Sequence, residues 1–479
     1  MSEKVYIAYK KKSSYPDNPF LTPDIPEYPL KSKLLGENDA YELVREGLKG
    51  YGLDTDNFGK KEWNPFGTYI HPGDTVLIKP NLVMDHNENR KSHEHAMECL
   101  VTHTSVIKAV CDYCIIAQKG KGRLIVGDAP MQGCDFKKLI EKMEYDKLIE
   151  FYKLQGINIE LKDLRQFESR FNNNRVITGR KYTDSEGVII EVGKKSAHCM
   201  SGNQNYQVSD YEKLETQAFH KDGHHSYEVS KTMLEADVII NLPKPKTHRL
   251  AGITAGMKNM VGITYNKASL PHRVAGSTSE GGDAYNKKSI LKKISDKALT
   301  AKIKAEKDGR YGLATICRYI YGGMLVAGRT ITRDPSYIGS WYGNDTIWRT
   351  VVDLNYITQY ADKSGNIKDI PQRKMLNIGD MIIAGQGNGP VSPEPKRVGA
   401  IVISDDVYAF DRTVCRMMGF DEEKIPMFRG INHNIGWIED KFVNVMSSIR
   451  SLNGDLQDIQ FPEQWKFKPY TTWIGHIEK

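Results

Sequence analysis

Short aliphatic runs alternate with helix-like patterns along the chain and predict a parallel β-sheet. The predicted strands share a run of aliphatic and β-branched residues that stops at a polar or turn-forming residue: Val5–Tyr9, Gly73–Asn81, Arg123–Asp128, Ile157–Leu161, Gly187–Val192, Ala236–Asn241 and Gly399–Ser404. The predicted helices lie mostly between these strands: Asp39–Leu48, Thr102–Gln118, Asp135–Leu154, Tyr227–Glu235, Gly252–Met260, Thr346–Ala361 and Asp406–Met418. This alternation is typical of an α/β fold, in which crossover helices connect a mostly parallel sheet.

Long polar stretches rich in Gly, Pro or Ser divide the chain into four parts. Residues 1–70 are predicted to form one strand and a loop-rich extension, and residues 71–265 form the α/β core. Residues 266–375 are predicted to be an insertion of Gly-, Ser- and Lys-rich loop with helices, and residues 376–479 complete the core. The length of 479 residues agrees with more than one unit, since a domain usually has about 100–200 residues.

The composition is that of a globular protein of a reducing compartment. Hydrophobic residues make up 39% and charged residues 27% of the chain. Apolar runs such as Val238–Ile240 are far shorter than the roughly 20 residues that cross a bilayer, and the N-terminus lacks a signal-like run. Seven cysteines are too sparse for a disulfide framework. We therefore expect a cytoplasmic protein that does not associate with a membrane.

The charge favours a small anionic partner. A net charge of +7 is a mild bias for this length, and it suits an anionic small molecule as the ligand. The basic runs, such as Lys10–Lys12, are too short for the concentrated stripe that nucleic-acid binding usually requires. Nucleic acid is therefore not expected as a partner, and a homo-oligomer remains open.

Polar residues follow several predicted strands at the point where each strand ends. Lys79 and Asn81 close one strand, Asp128 closes the next, and the segment Asn241–His248 follows a third. Ligands of parallel sheets bind beside the carboxyl ends of the strands. These residues are therefore predicted to converge on one rim.

The segment from Lys244 to His248 is the strongest candidate for an anion site. Pro243 and Pro245 favour an extended backbone, so Lys244, Lys246 and His248 are predicted to lie on one side. Three cationic or protonatable groups on one edge would bind an anion. The alternative is a basic surface loop.

A predicted helix start follows this segment. Gly252, Thr254 and Gly256 have small side chains where backbone N–H groups would face a ligand, and Lys258 and Asn259 lie one turn further on. A packed glycine helix is the alternative.

An acidic residue lies on the inward face of the last predicted helix. Asp411 shares its apolar stripe with Val407 and Phe410. A carboxylate in such a place either lines a cavity or belongs to a buried structural pair.

Other patterns favour simpler interpretations. Cys111 and Cys114 have redox or metal spacing but lie on an apolar helix stripe, which indicates core packing. The pairs His93 with His95 and His224 with His225 lie in polar stretches and are predicted at the surface.

Several motifs in order resemble one protein family. They are Val76–Leu82, Thr102–Thr104, Ile125–Pro130, Ala236–His248, Met257–Gly262 and Asp406–Gly419. Together they resemble the family called domain of unknown function 362, over about residues 70–265 and 376–425. Some members of that family carry ferredoxin clusters. This chain has no Cys-x-x-Cys-x-x-Cys run, so an iron–sulfur cluster is not expected.

A remoter similarity concerns the nickel-dependent lactate racemases. In that family a histidine works at the metal centre, and a lysine tethers a nickel-pincer nucleotide. The spacing of His248 and Lys258 resembles that arrangement, and His272 is a candidate for a further histidine. The loop Gly127–Pro130 lacks the His-Arg pair of that family, so the cofactor stays unknown, with a divalent metal as one option.

These observations predict an enzyme acting on a carboxylate, phosphate or nucleotide-linked small molecule. Lys246, His248, Lys258 and Asp128 are the predicted catalytic residues. The predicted cofactor- or ligand-binding residues are Lys79, Asn81, Lys244, Gly252, Thr254, Gly256, Asn259 and Asp411. An isomerase-, racemase- or epimerase-like reaction with a metal and a transferase-like reaction both remain open. The alternative is a non-catalytic protein that binds an anion or nucleotide at the same residues.

Overall fold

The computed structural model describes residues 3–32, 34–89, 94–202, 205–221, 223–439 and 441–479. His93, one of the histidines predicted at the surface, lies outside these residues. The strands are β1 (Glu3–Tyr9), β2 (Thr75–Pro80), β3 (Arg123–Asp128), β4 (Ile159–Asp163), β5 (Phe167–Phe171), β6 (Ile177–Tyr182), β7 (Gly187–Glu191), β8 (Tyr206–Gln207), β9 (His220–Lys221), β10 (His224–Ser230), β11 (Val238–Leu242), β12 (Lys246–His248), β13 (Gly252–Thr254), β14 (Arg273–Val274), β15 (Lys374–Asn388), β16 (Ser392–Ser404), β17 (Val443–Ser447) and β18 (Gly454–Asp455). The helices are α1 (Asp39–Tyr51), α2 (Thr104–Gln118), α3 (Phe136–Lys142), α4 (Tyr145–Lys153), α5 (Lys213–Phe219), α6 (Lys231–Glu235), α7 (Gly256–Asn259), α8 (Ile290–Lys307), α9 (Tyr311–Thr332), α10 (Ile347–Tyr360), α11 (Val407–Met417) and α12 (Pro426–Asn434).

One large sheet organises the molecule. Its strand order is β18-β17-β1-β16-β15-β11-β2-β3-β4, and β12 and β13 extend it beside β15. The strands β15, β11, β2, β3 and β4 run parallel to one another, whereas β16 is antiparallel to both β15 and β1. The predicted α/β class with a mostly parallel sheet and loop-rich segments is therefore confirmed.

The sheet is buried on both faces. Alternate residues of β2 face opposite ways, so Val76 and Ile78 join one hydrophobic core and Leu77 joins the other. Helices α1, α2 and α4 cover the first face, and α7, α10, α11 and α12 cover the second. Sheets of parallel strands are normally covered in this way, because their crossover helices lie on the faces.

Three predicted helices differ from the structure. The chain over Asp135–Leu154 forms two helices, because Glu144 has a left-handed backbone (φ 57°) that interrupts the hydrogen-bond ladder. Tyr227 belongs to β10, which pairs with β7, and only Lys231–Glu235 is helical. Gly252–Thr254 is a strand paired with β12, so the helix begins only at Gly256. In each case a cross-strand partner or a backbone turn outweighs local helical spacing.

The elements around α11 agree with the prediction. Asp406 accepts a hydrogen bond from the backbone N–H of Ala409 at 2.6 Å and caps the helix. Gly419 (φ 77°) lies just beyond its end, where glycine allows a left-handed backbone. Within the described residues, no helix combines the length and apolar character needed to cross a membrane.

Candidate functional site

A cavity of about 620 Å³ opens beside the carboxyl ends of β2 and β3. Its wall includes seven of the predicted site residues: Asn81, Asp128, Lys246, His248, Thr254, Lys258 and Asn259. The parallel pairing of β11 with β2 and of β2 with β3 brings these distant segments together. The position agrees with the rule that ligands of parallel sheets bind beyond the carboxyl ends of strands.

A chain of asparagine amides positions Lys246. Asn377 accepts a hydrogen bond from Asn241 at 2.8 Å, and Asn241 accepts one from Asn259 at 2.8 Å. Asn259 in turn accepts from Asn81 at 2.9 Å. The Asn81 oxygen finally accepts from Lys246 Nζ at 2.9 Å. Because each amide is fixed by the next, the ammonium group of Lys246 is held with little freedom.

Two lysines bring positive charge to this cavity. Burial lowers the pKa of Lys246 to about 7, and the nearby ammonium groups of Lys244 and Lys258 contribute to the same shift. Burial and Arg249 lower the pKa of Lys258 to about 8. Within the described part of the chain, the hydrogen bonds of Lys246 Nζ go to neutral oxygens, of Asn81 and of the Leu100 carbonyl. Among the described residues, Lys258 Nζ has no hydrogen bond or ion pair. A bound anion would supply the missing countercharge.

Two histidines of the cavity are fixed in opposite tautomers. His248 Nδ1 accepts hydrogen bonds from the backbone N–H groups of Leu250 and Ala251, each at 3.1 Å, so the ring proton lies on Nε2. His272 Nδ1 lies 2.7 Å from the carbonyl oxygen of Leu270 and must donate to it, so Nε2 carries a lone pair. Burial lowers the pKa of both rings, that of His272 to about 3, and both are therefore neutral near pH 7.

The Asp128 carboxylate, at the edge of the cavity, forms an ion pair and two backbone hydrogen bonds within the protein. It forms an ion pair with the buried Lys79 Nζ at 2.7 Å. It also accepts hydrogen bonds from the backbone N–H groups of Leu82 at 2.6 Å and Ala129 at 2.8 Å. Gly262 packs against the pair, since a Cβ there would lie 1.9 Å from the carboxylate oxygen and 2.6 Å from Lys79 Nζ. The Asp128 carboxylate therefore joins the end of β2 to the end of β3 at the edge of the cavity.

Replacing Gly262 by alanine should break this arrangement. The added methyl group cannot be accommodated without moving Asp128 or Lys79, and separating a buried ion pair is costly. We expect a loss of about 2–4 kcal/mol in the free energy of unfolding, measured by urea denaturation. Gly202→Ala is the matched control, because a Cβ there meets nothing within 4 Å. Equal stability of the two variants would contradict the assigned packing.

Lys244 does not reach the cavity, contrary to the prediction. Its Nζ forms a fully buried ion pair with Asp380 at 2.6 Å and donates to the Tyr15 hydroxyl at 2.9 Å. The alternation of an extended chain predicts only the side on which a residue lies. Tyr15 and Asp380, which are remote in sequence, decide that Lys244 is covered.

The predicted anion-binding helix start is also closed to a ligand. Asp411 accepts hydrogen bonds from the backbone N–H groups of Gly256 at 2.6 Å and Met257 at 3.2 Å. Burial raises the pKa of Asp411 to about 8. Gly252 (φ 77°) is closed too, because a Cβ there would lie 2.9 Å from the ring of Trp473. Of this segment only Thr254, Lys258 and Asn259 line the cavity, and Lys79 lies behind Asp128.

Some cavity residues carried no clear signal in the sequence. Arg249 and Lys267 line the wall, and burial lowers the pKa of Lys267 to about 7. Lys267 donates to the Ala129 carbonyl at 2.9 Å. Arg249 directly follows the predicted Lys-Pro-Lys-Thr-His segment and could have been included with it. Lys267 lies in a loop without periodicity, where no pattern marks it.

The burial of the side chains decides the interpretation of the cysteine and histidine pairs. Cys111 and Cys114 are buried in the core, as predicted. His224 is exposed, but His225 is fully buried beside His220, so the surface interpretation is wrong for His225. Pairing of β9 with β10 turns its ring inward. In the described part of the chain, no group of three or more His, Cys, Asp or Glu side chains is placed to hold a metal ion.

Known proteins resemble this chain at low identity. A thylakoid-associated protein of Synechocystis sp. is 23% identical over 361 residues, which are 75% of this chain and 68% of that protein. The lactate racemase apoprotein from Thermoanaerobacterium thermosaccharolyticum has a TM-score of 0.31 and 10% identity, and the match covers 79% of this chain and 55% of the racemase. A crystal structure of a protein from Thermotoga maritima has a TM-score of 0.30 and 10% identity, with 80% and 60% covered. This chain thus spans less than two thirds of either solved chain, and likenesses of this size do not bear on activity.

One protein-family model matches most of the chain. The model described as Domain of unknown function (DUF362) matches residues 76–204 and 202–416, which together are more than half of the chain. The matched residues contain the strand ends and lysines that form the cavity. They also contain most of the motifs from which the resemblance was predicted. The chain therefore belongs to the family described as Domain of unknown function (DUF362).

Proposed function

We propose that this protein is an enzyme that moves a proton within an anionic small molecule, an isomerase-type reaction. The observation that carries the proposal is the pair of neutral histidines in opposite tautomers, His248 and His272, in a cavity that also contains Lys246 and Lys258. One ring offers a proton donor and the other offers a lone pair. Such complementary groups are what acid–base chemistry on a bound molecule requires.

The lysines would hold the anionic group of the substrate. Lys246 and Lys258 have no carboxylate partner in the described structure, so a carboxylate or phosphate oxygen would complete their hydrogen bonds. A bound anion would also weaken the repulsion that lowers the pKa of His272, to which Lys258 and Arg249 contribute. The base would therefore become stronger when the substrate is bound.

The histidines would divide the proton transfer. His272 Nε2 would remove a proton from carbon beside a carbonyl or carboxyl group, which leaves negative charge on the substrate oxygen. His248 Nε2–H would donate a hydrogen bond to that oxygen, as a neutral imidazole can. Return of the proton from His272 to a different position would complete the isomerisation. No proton is gained or lost overall.

The rest of the wall fits an apolar part of the substrate. Met84, Met131, Phe171, Val208 and Leu270 also line the cavity. The volume of about 620 Å³ is within the range of ordinary ligand sites. The substrate class is thus an anionic molecule with an apolar or planar body, which includes nucleotide-linked acids.

A bound cofactor would fit the same residues. Lys258 has a pKa of about 8 and no partner among the described residues, so its amine can bind an anionic cofactor or form a covalent bond to one. A divalent metal fits less well, because the lone pair of His272 Nε2 cannot both bind a metal and act as the proposed base. Among the described residues, no group of three or more His, Cys, Asp or Glu side chains is placed to hold a metal, and the cavity is lined by Lys246 and Lys258.

Solvent deuterium provides a direct test of the proposed reaction. The purified protein is incubated in D₂O with a small-molecule extract of cells, and incorporation of deuterium into anionic metabolites is followed by mass spectrometry. A proton held on His272 exchanges with solvent before it returns, so the substrate should gain deuterium. We expect His272→Asn to slow this exchange by about 100-fold or more.

The control separates chemistry from binding. Lys297→Met changes an exposed lysine of α8 and should leave the exchange unchanged. Binding of oxalate, followed by calorimetry, should survive in His272→Asn because the lysines are intact. Oxalate binding by the wild type without exchange into any metabolite would instead favour the non-catalytic binding protein.

A further inference from the structure

Helix α9 presents a long apolar face to solvent. It spans Tyr311–Thr332, which corresponds to about 33 Å. Six of its exposed apolar residues, here called the α9 face, are Leu313, Ile316, Tyr319, Ile320, Val326 and Ile331. Ile316, Val326 and Ile331 are 58%, 62% and 73% exposed. A folded monomer rarely leaves a contiguous apolar surface of this extent without a partner.

The opposite side of the helix packs against the protein. Ala314, Cys317 and Gly328 are buried, and Gly328 contacts Lys292 of α8. The Tyr311 hydroxyl donates to the Thr178 carbonyl of β6 at 2.9 Å. Helix α9 therefore lies along the surface of the protein with its apolar face turned outward, which is the geometry of a helix that docks on another surface.

The charges of α9 are all of one sign. Arg318 and Arg329 lie eleven residues, or three turns, apart, so they occupy the same edge of the helix. Arg310 and Arg333 lie at its two ends, and the helix contains no Asp or Glu. Ion pairs with acidic residues are absent, within the described chain, for Arg318, Arg329 and Arg333. The partner of the α9 face must therefore supply negative charge together with an apolar interior.

We propose that the α9 face docks on the surface of an anionic lipid bilayer. A helix with aliphatic and tyrosine side chains on one face and arginines along its edge can lie in the interface between lipid headgroups and acyl chains. The arginines would contact lipid phosphates. A second copy of the chain is the less suitable occupant, because its own arginines would meet those of the first. This inference differs from the expectation, drawn from composition, that no membrane is involved.

The proposed docking surface adjoins the cavity. The β5–β6 hairpin connects the two regions, since Arg175 at its turn lines the cavity and Asn174 lies 3.4 Å from the Tyr319 hydroxyl. Phe171 of the same hairpin lines the cavity as well. A docked protein would thus hold one wall of the cavity near the bilayer.

Vesicle sedimentation tests the proposal on the full chain. Vesicles of phosphatidylcholine alone are compared with vesicles containing about 30% phosphatidylglycerol, at low and high salt. We expect the protein to sediment with the anionic vesicles at low salt. The triple variant Ile316→Ser, Ile320→Ser, Val326→Ser should lower the bound fraction at least ten-fold, and Arg318→Gln with Arg329→Gln should remove the preference for phosphatidylglycerol.

The control uses other exposed apolar residues. Leu154→Ser, Ile189→Ser and Ile370→Ser together remove comparable side chains elsewhere and should leave sedimentation unchanged. Circular dichroism verifies that every variant is folded. Absence of the wild type from the anionic pellet would overturn the proposal. A dimer that forms without vesicles and is lost in the α9 triple variant would overturn it too, in favour of a second copy.

Discussion

Replacing Asp380 by alanine should lower the free energy of unfolding by about 3–5 kcal/mol. Asp380 is fully buried, and it balances the charge of Lys244 at 2.6 Å. It also accepts hydrogen bonds from the Tyr15 hydroxyl and from the backbone N–H of His103. Its removal leaves a buried ammonium group without a countercharge. Chemical denaturation of the variant and the wild type measures the difference.

A double variant distinguishes the contribution of the charges to stability from the contribution of side-chain packing. Lys244→Met combined with Asp380→Leu removes both charges and should recover a large part of the lost stability, because an apolar pair can replace a buried ion pair. Asp369→Ala changes a fully exposed carboxylate and serves as the control with little effect. If Asp380→Ala alone were as stable as Asp369→Ala, the assigned ion pair would be wrong.

The affinity for oxalate should fall as the pH rises from 6 to 9. An anion binds to Lys246 and Lys258 only while they are protonated, and their pKa values in the free protein are about 7 and about 8. Both lysines are largely protonated at pH 6, and they lose their protons as the pH rises through these values. We expect affinity to fall by up to about ten-fold per pH unit for each lysine that has to be protonated. Calorimetry at a fixed ionic strength measures this slope.

Variants identify the lysines responsible for the slope. Lys246→Met should weaken oxalate binding by about 2 kcal/mol at pH 6, or roughly 30-fold, and should reduce the pH dependence. Lys297→Met, in an exposed position, should change neither. An affinity that stays constant from pH 6 to 9 in the wild type would show that the two lysines do not hold the anion.

Local pattern alone determined a large part of the fold. Aliphatic runs that stop at Lys79, Asp128 and Asn241 predicted strands, and their alternation with helices predicted parallel pairing. The carboxyl ends of parallel strands meet at one edge, so the sequence also indicated where a cavity would lie. Lys246 and His248 were found in this way, since they follow the predicted strand end at Asn241, and Lys258 was found from the predicted helix that comes next.

The tertiary structure decided which of these groups can meet a ligand. Whether a side chain is free depends on residues that are distant in the chain. Lys244 forms an ion pair with Asp380, and Lys79 forms one with Asp128. Asp411 accepts the backbone hydrogen bond at the N-terminus of α7, so this helix end is not available to a ligand. The same holds for the histidines, because backbone groups of the folded loops fix the tautomers of His248 and His272. Spacing along a sequence determines the side on which a residue lies, whereas its charge partners and its proton positions depend on packing between segments that only the fold brings together.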